Sequence, residues 1–320
     1  MNLIPILIAS IFTLTLGGCS SSDSPPAQGN LSVSISDSPM SDVSHVRLVL
    51  DEIVMTDFEG TEHHFSLDGM AFNLMDYRGM NSFPVLNNLS LSPGAYHDVY
   101  MTLREQQGNE GSWIENMNGR FDLMVDDGRL PLENFNIVAD EDFHMTMEID
   151  LFLSLVEHDN YFQLHHEGIY SVDNRRMGHL IGEVDPDWII DCEVENAYLS
   201  LGDGSFRHMA YLYGTNTTSL VHMGDISSAR VDQLMTPIAV SPIEQDNEGN
   251  YHYQIGYLPT GDYLMGYSCL GHLDDPQNDD INNGQFSLYY FSGSITIESG
   301  TMGGSQNVHH MGEGHGGHGG

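Results

Sequence analysis

Hydrophobic and polar residues alternate along most of the chain. In the segment from Phe143 to Leu155, every odd-numbered position is apolar, and most even-numbered positions, including Glu148 and Asp150, are polar. A period of two is typical of a β-strand with one face buried and the other in water. The pattern therefore predicts a long strand over 143–155 in an antiparallel sheet, with its even-numbered face mostly wet.

Helical patterns are few and turn signals are frequent. Residues 72–78, which precede Gly79, could form a short helix that ends at the glycine. The chain contains 34 glycines and several Asn/Asp clusters, which supply turns between the strand patterns. The sequence therefore predicts an all-β protein, with β-sandwiches as the favoured architecture.

An Asp-Pro-Asp turn at 185–187 separates two blocks of strand pattern. The sequence thus predicts two β-sandwich modules in tandem, at residues 31–185 and 187–300. Each block contains the phrase Leu-x-x-Gly-x-Tyr, at 91–96 and 258–263, where a turn residue pair precedes an aromatic that re-enters the sheet. We expect both modules to use the same type of sandwich.

The amino terminus has the pattern of a signal peptide at residues 1–18. This segment has no charged side chain and holds a nearly continuous apolar run over 3–16. Such a run is short for a membrane span of about 20 residues and suits the hydrophobic region of a secretory signal. It ends in Leu-Gly-Gly-Cys19, which resembles the bacterial lipobox. The resemblance implies cleavage before Cys19 and lipidation of its thiol; the alternative is an ordinary signal peptide with a chance cysteine.

The residues after the cysteine fit a flexible tether. Residues 19–30 are rich in Ser, Pro and Gly and have no apolar face to bury. Ser20 occupies the position where an aspartate would resemble the inner-membrane retention signal, so the outer membrane is the favoured destination. We expect a cell-envelope protein that contacts the membrane through its amino-terminal lipid.

The first module resembles a bacterial family known as domain of unknown function 4382 (DUF4382). The resemblance covers about residues 30–184, and these segments carry it: Ile-Ser-Asp-Ser-Pro at 35–39, the Val-rich strand at 45–53, the segment 72–79, the phrase at 91–96 and the long strand at 143–155. The family is met in exported lipoproteins and has no established activity. The resemblance therefore implies an envelope location and carries over no catalytic residue.

The second module is similar to the carboxypeptidase-regulatory-like and transthyretin-like sandwiches. This similarity is carried mainly by the segment 253–263, Tyr-Gln-Ile-Gly-Tyr-Leu-Pro-Thr-Gly-Asp-Tyr. It implies a role as a spacer, a stabiliser or an adhesion unit.

The charge balance excludes several function classes. Nine Lys+Arg stand against 46 Asp+Glu, for a formal net charge of −37, and none of the nine is lysine. A Schiff-base lysine and a phosphate-loop lysine are thereby excluded, and nucleic acid is a poor partner. Excess negative charge repels itself and is screened by salt, so we expect the fold to lose stability in low-salt buffer.

The three cysteines suggest one disulfide. If Cys19 carries the lipid, two cysteines remain, Cys192 and Cys269. An even number of cysteines in an oxidising compartment favours a disulfide. We expect them to pair; the alternative is two separate buried thiols.

Enzyme motifs are missing from the sequence. It contains no Gly-x-Ser-x-Gly elbow and no Cys-x-x-Cys pair, and His166-Glu167 lacks the second histidine of a zinc-protease helix. We therefore predict a non-enzymatic protein with a binding, structural or adhesion role, whose partners are other envelope proteins or polysaccharide. The alternatives are a metal-binding envelope protein and a hydrolase of an extracellular polymer whose site is assembled by folding.

The acidic loop 274–284 is a candidate calcium site. Its carboxylates are those of Asp274, Asp275, Asp279 and Asp280. Its amide oxygens are those of Gln277, Asn278, Asn282 and Asn283. Calcium takes six to eight oxygen ligands, although the spacing differs from that of an EF-hand. The alternative is a solvated turn.

The carboxyl-terminal segment 301–320 is a Gly-rich tail without an apolar face, and we expect it to be disordered. Its histidines are His309, His310, His315 and His318. They could chelate copper, nickel or zinc, or lie in a tail without a metal role. Adjacent histidines in a strand point to opposite faces, so the pairs 63–64 and 165–166 are not expected to converge on one ion.

Overall fold

The structure is a computed structural model. It describes residues 27–38, 43–106, 108–215, 220–227, 234–275, 280–281, 284–300 and 305–311. Strands account for most of these residues, which confirms the all-β prediction. Within the described ranges, no helix has both the length and the hydropathy needed to cross a membrane.

The amino-terminal half forms two sheets. Its elements are β1 (Gly29–Ser38), β2 (Val43–Asp57), β3 (Glu62–Asn73), β4 (Phe83–Leu91), β5 (Gly94–Leu103), β6 (Trp113–Asn116), β7 (Gly119–Val125), β8 (Arg129–Leu132), β9 (Phe135–Ile137), β10 (Asp142–Asp150), α1 (Leu151–Ser154), β11 (Leu155–Glu157), β12 (Tyr161–Leu164) and β13 (Ile169–Asp173). Sheet 1 has the order β13-β10-β1-β4. Sheet 2 has the order β11-β12-β7-β6-β2-β5-β8, with β3 paired to β2 and β9 paired to β5.

Sheets 1 and 2 share one hydrophobic core. Leu31, Val33 and Ile35 of β1 alternate with serines and are fully buried. They belong to the same packed cluster as Leu48 and Leu50 of β2 in the other sheet. The alternation therefore places one face of each strand in a shared interior, as in a sandwich. We call this half the first module.

The carboxyl-terminal half forms two four-stranded sheets. Its elements are β14 (Met177–Val184), α2 (Pro186–Glu195), β15 (Met209–Gly214), β16 (Ala239–Pro242), β17 (Glu244–Gln245), β18 (Tyr251–Pro259), β19 (Gly261–Ser268), β20 (Tyr290–Ile297) and β21 (Ser305–Met311). Sheet 3 has the order β17-β18-β14-β21, and sheet 4 the order β16-β15-β19-β20. Buried tyrosines of both sheets, such as Tyr253 and Tyr211, lie in one core cluster. We call this half the second module.

The long strand predicted over 143–155 ends early. β10 stops at Asp150, whose side-chain Oδ1 accepts hydrogen bonds from the backbone N–H groups of Phe152 and Leu153 at 3.1 and 3.2 Å. These bonds cap the single helical turn α1, because a carboxylate can satisfy the free N–H groups at a helix start. The prediction of one continuous strand is therefore wrong after Asp150.

The short helix predicted before Gly79 is a single 3-10 turn at Leu74–Asp76.

The sequence pattern predicts that the even-numbered face of β10 is exposed to water, but in the structure most of this face is buried. Thr146, Glu148 and Asp150 are each fully buried, whereas His144 is exposed. The reason is that β16 and β18 of the second module pack against β1 and β10. A second module thus covers the polar face that periodicity alone assigns to solvent.

Direct hydrogen bonds join the two modules at this seam. The Ser38 hydroxyl donates to the Val240 carbonyl oxygen at 2.7 Å, and the Val240 N–H donates to Asp150 Oδ2 at 2.8 Å. Gly256 also approaches the first module closely, since a Cβ there would lie 1.9 Å from the carbonyl oxygen of Gly79. The seam is therefore tightly packed, with backbone against backbone.

Strand pairing bears on two of the predicted segments. β14 lies before residue 186 but pairs with β18 in sheet 3, so strand pairing favours a module boundary at the turn Asn174–Arg176. The boundary near 186 remains a prediction. The tail expected to be disordered contributes β21, which pairs in parallel with β14. An open strand edge offers backbone partners, so Ser305–Met311 needs no apolar face of its own.

Candidate functional site

The disulfide expected from the cysteine count is confirmed. Cys192 of α2 and Cys269, the residue after β19, are bonded, with their Cα atoms 6.1 Å apart. Both are buried. The bond fixes the start of the loop that carries Asp274, because Cys269 lies only five residues before that aspartate.

Three buried carboxylates converge beside this loop. Asp225, Asp274 and Asp280 are 0%, 6% and 3% exposed. Each offers one carboxylate oxygen, and these oxygens all lie within 4.8 Å of one another. We call this group the buried aspartate cluster.

Backbone groups hold the cluster in place. Asp225 Oδ2 accepts hydrogen bonds from the N–H groups of Asp280 and Ile281. Asp274 Oδ1 accepts from the N–H of Ile226 at 3.3 Å, and Asp280 Oδ2 accepts from the N–H of Asp275 at 2.8 Å. These bonds tie the segment that carries Asp225 to the acidic loop and hold two parts of that loop together.

One oxygen of the cluster lacks a well-formed hydrogen bond. Asp274 Oδ2 is buried, and no donor among the described residues meets hydrogen-bond geometry with it, although the Tyr211 hydroxyl interacts with this carboxyl group. A buried carboxylate oxygen without a donor is costly, so its presence calls for an explanation such as a proton or an ion.

The electrostatics of the cluster agree with this observation. Burial raises the pKa of Asp274 well above its usual range, and the negative charges of Asp225 and Asp280 raise it further, whereas the Tyr211 hydroxyl and the Ile226 N–H oppose the rise. Burial also raises the pKa of Tyr211 and of Tyr213, and the charge of Asp274 adds to both shifts. The cluster is therefore a strongly negative site that takes up a cation or retains a proton.

The donor set fits calcium. All three side chains supply carboxylate oxygen, the ligand type that hard cations prefer, and none supplies nitrogen or sulfur. A divalent cation would offset the mutual repulsion of the three carboxylates and would give Asp274 Oδ2 a partner.

The structure brings together part of the predicted acidic loop. Asp274 and Asp280 meet in the buried aspartate cluster, whereas Asp275 contributes a backbone N–H to Asp280. Asp279 and the amide residues of the loop lie outside the described residues. Asp225 was missed, because it lies about 50 residues earlier, in a short turn with no acidic neighbours.

The other predicted site residues lie at the chain ends. Cys19, His315 and His318 are outside the described residues. His309 and His310 belong to β21, opposite Gly182 and Glu183 of β14. Metal binding by the tail and lipidation therefore stay predictions.

Comparison with known proteins extends this description. Residues 28–165 match the family model described as "Domain of unknown function (DUF4382)". No curated protein matches the chain. The similarity of the second module to carboxypeptidase-regulatory-like sandwiches stays a prediction.

Several solved structures align with most of the chain at low similarity. A candidate adhesin from Bacteroides ovatus is 8% identical, with 92% of this chain and 94% of that chain covered and a TM-score of 0.21. The minor pilin GBS52 from Streptococcus agalactiae is 11% identical, with 88% and 94% covered and a TM-score of 0.19. The fimbrial anchor protein Mfa2 from Porphyromonas gingivalis is 8% identical, with 82% of each chain covered and a TM-score of 0.18. Scores this low carry no argument about function.

The family match covers β1 to β12, which make up most of the first module. Over residues 28–165 the resemblance of this chain to the DUF4382 family is thereby confirmed.

Proposed function

We propose that this protein is a lipid-anchored component of the bacterial cell envelope, with a binding or structural role, whose second module binds calcium at the buried aspartate cluster. The observation that carries the calcium assignment is the convergence of three buried carboxylate oxygens within 4.8 Å. Asp274 Oδ2 supports it as well, since this oxygen is buried and its interaction with Tyr211 falls outside hydrogen-bond geometry.

The role of the ion would be structural. Asp274 and Asp280 lie in one loop, and Asp225 lies about 50 residues earlier, so one ion bound to all three would fix that loop and join it to the segment that carries Asp225. Ligand binding to the folded state alone stabilises it by mass action, by about 2.7 kcal/mol at a concentration 100 times the Kd. The cluster is buried in the protein core, which suits a stabilising ion better than a catalytic one.

The seam between the modules supports a structural or adhesive role. Hydrogen bonds from Ser38 and to Asp150 hold the Val240 backbone from both sides. Two modules held in one relative orientation present a surface of fixed shape to other envelope proteins or to polysaccharide. The family of the first module has no established activity, so no reaction is proposed.

Calorimetric titration of calcium into the full-length protein tests the calcium assignment. We expect one calcium per chain, and an affinity about tenfold or more weaker in Asp274→Asn, which removes one ligand charge. The control is Asp98→Asn, because the Asp98 side chain is 80% exposed and lies in the first module. Absence of binding in the natural sequence, or equal affinity in both variants, would contradict the proposal.

Mass spectrometry of the amino-terminal peptide tests the anchor. We expect a peptide that begins with acylated Cys19 and a protein that fractionates with the outer membrane. Cys19→Ala should release the protein from the membrane fraction. An unmodified peptide that begins at Met1 would contradict the lipid anchor and leave the calcium assignment untouched.

A further inference from the structure

A second group of metal-ligating side chains lies in the first module. Asp126, His165 and Glu167 each offer one ligand atom, and these atoms all lie within 4.8 Å of one another. The side chains of Asp126 and His165 are 28% and 31% exposed, and Glu167 is exposed. This group, the Asp–His–Glu cluster, is thus open to solvent, unlike the buried aspartate cluster.

Parallel strand pairing creates the Asp–His–Glu cluster. β7 and β12 run parallel, and Val125 at the end of β7 lies opposite Leu164 at the end of β12. The next residues, Asp126 and His165, therefore leave the sheet at the same edge although 39 positions separate them. The chain then turns, and Glu167 comes to lie beside them.

Hydrogen bonds orient two of the three ligands. His165 Nδ1 lies 3.1 Å from Asp126 Oδ2, and Gln163 Nε2 donates to Asp126 Oδ1 at 2.6 Å. These hydrogen bonds therefore hold Asp126 in a fixed position beside His165, as hydrogen bonds to metal-binding side chains commonly do.

The donor set distinguishes this cluster from a calcium site. It combines one imidazole nitrogen with two carboxylate oxygens, and zinc binds histidine together with aspartate and glutamate. Calcium takes oxygen ligands almost exclusively. From this geometry we propose that the Asp–His–Glu cluster binds Zn²⁺ through three protein ligands, with water completing the coordination. The proposal does not depend on calcium binding in the second module.

Titration of Zn²⁺ into the full-length chain, in excess calcium, tests this proposal. Calcium keeps the buried aspartate cluster occupied. To remove competing ligands, the tail histidines are first replaced by asparagine: His309, His310, His315 and His318. In this background His165→Gln is compared with His166→Gln. His166 is the matched control, since it follows His165 directly and its side-chain Nε2 contacts the Arg129 carbonyl oxygen at 3.0 Å. Only its backbone N–H, which the substitution keeps, reaches the cluster, at Asp126 Oδ2.

We expect one zinc per chain in the background protein and in His166→Gln. His165→Gln should weaken binding at least about tenfold, because loss of a ligand costs no less than loss of an outer-shell partner. Co²⁺ added as a probe should give visible absorption that the same substitution removes. If His165→Gln fails to fold, Glu167→Gln replaces it, because Glu167 is exposed. Absence of zinc binding in the background protein, or equal weakening by both histidine substitutions, would overturn the proposal.

Discussion

Replacing Glu148 by glutamine should stabilise this protein at mildly alkaline pH. Glu148 is fully buried at the seam between the modules, and no donor among the described residues meets hydrogen-bond geometry with its carboxylate oxygens. Burial raises the pKa of Glu148 from 4.5 to about 8; the Ser36 hydroxyl opposes the rise, and the charge of Asp150 adds to it. Its neighbour Asp37 is also buried, with a pKa raised first by burial and then by the charge of Glu148, against the opposing charge of Arg78.

The sign and size of the effect follow from proton linkage. Between pH 4.5 and about 8 the folded chain keeps the Glu148 proton, whereas the unfolded chain releases it. The free energy of unfolding therefore falls as the pH rises through this window, by about 1.4 kcal/mol per pH unit. Across the window the loss is at most about 5 kcal/mol, an upper limit because the seam can relax and admit water. Glutamine has no proton to lose, so Glu148→Gln should avoid this loss.

Urea unfolding at several pH values, at constant salt and calcium, measures the effect. We expect Glu148→Gln and the natural sequence to have similar unfolding free energies near pH 5. Near pH 8 the variant should be more stable by a few kcal/mol. Glu244→Gln is the control, since Glu244 is exposed on β17 and should leave the pH dependence unchanged. A stability difference that does not change with pH, or a variant that is less stable near pH 8, would refute the reasoning.

Four further predictions concern packing, covalent bonding, the metal and salt. Gly256→Ala should destabilise the protein by about 1–3 kcal/mol, because the added Cβ would lie 1.9 Å from a backbone carbonyl oxygen of the other module. Gly293→Ala is the control, since a Cβ there would meet nothing within 4 Å. Thermal melting of both variants measures the difference. Replacing Cys192 and Cys269 together by alanine should cost up to about 4 kcal/mol, since the bond spans 77 residues, and urea unfolding measures it. Calcium affinity should fall as the pH is lowered, because protons compete for Asp274, and calorimetry at two pH values detects the change. Lowering the salt concentration should lower the melting temperature, given the net charge of −37; a melting temperature indifferent to salt would contradict this.

Local patterns predicted much of the strand content. The alternation in β1 places Leu31, Val33 and Ile35 in the core, and the structure agrees. The disulfide follows from counting cysteines once Cys19 is assigned to the lipid. Such inferences succeed because they depend on periodicity and composition, which each short segment carries by itself.

Features created by long-range pairing could not be predicted in the same way. β1 lies parallel to β10, 112 residues later, and this pair sets the face on which Glu148 lies. Periodicity indicates that the two faces of β10 differ, but only the docking of the second module decides that the polar face is buried. Local reasoning therefore assigned Glu148 and Asp150 to solvent.

The candidate metal sites show the same limit. The acidic loop supplied Asp274 and Asp280 from composition alone, but Asp225 reaches them only through the fold. A sequence pattern pairs His165 with its neighbour His166, because contacts between residues far apart in the chain cannot be read from a local pattern. Its partner in space is Asp126, which parallel pairing of β7 and β12 brings beside it.

Tyrosine-sensitised terbium luminescence tests the calcium site most directly. Terbium replaces calcium at oxygen-rich sites, and the buried rings of Tyr211 and Tyr213 interact with the charge of Asp274, so a bound ion should receive their excitation energy. The account predicts sensitised emission at one terbium per chain, which excess calcium abolishes and Asp274→Asn greatly reduces, while Asp98→Asn leaves it unchanged. Emission that is absent, or that is equally strong in Asp274→Asn and the natural sequence, would contradict calcium binding by the buried aspartate cluster.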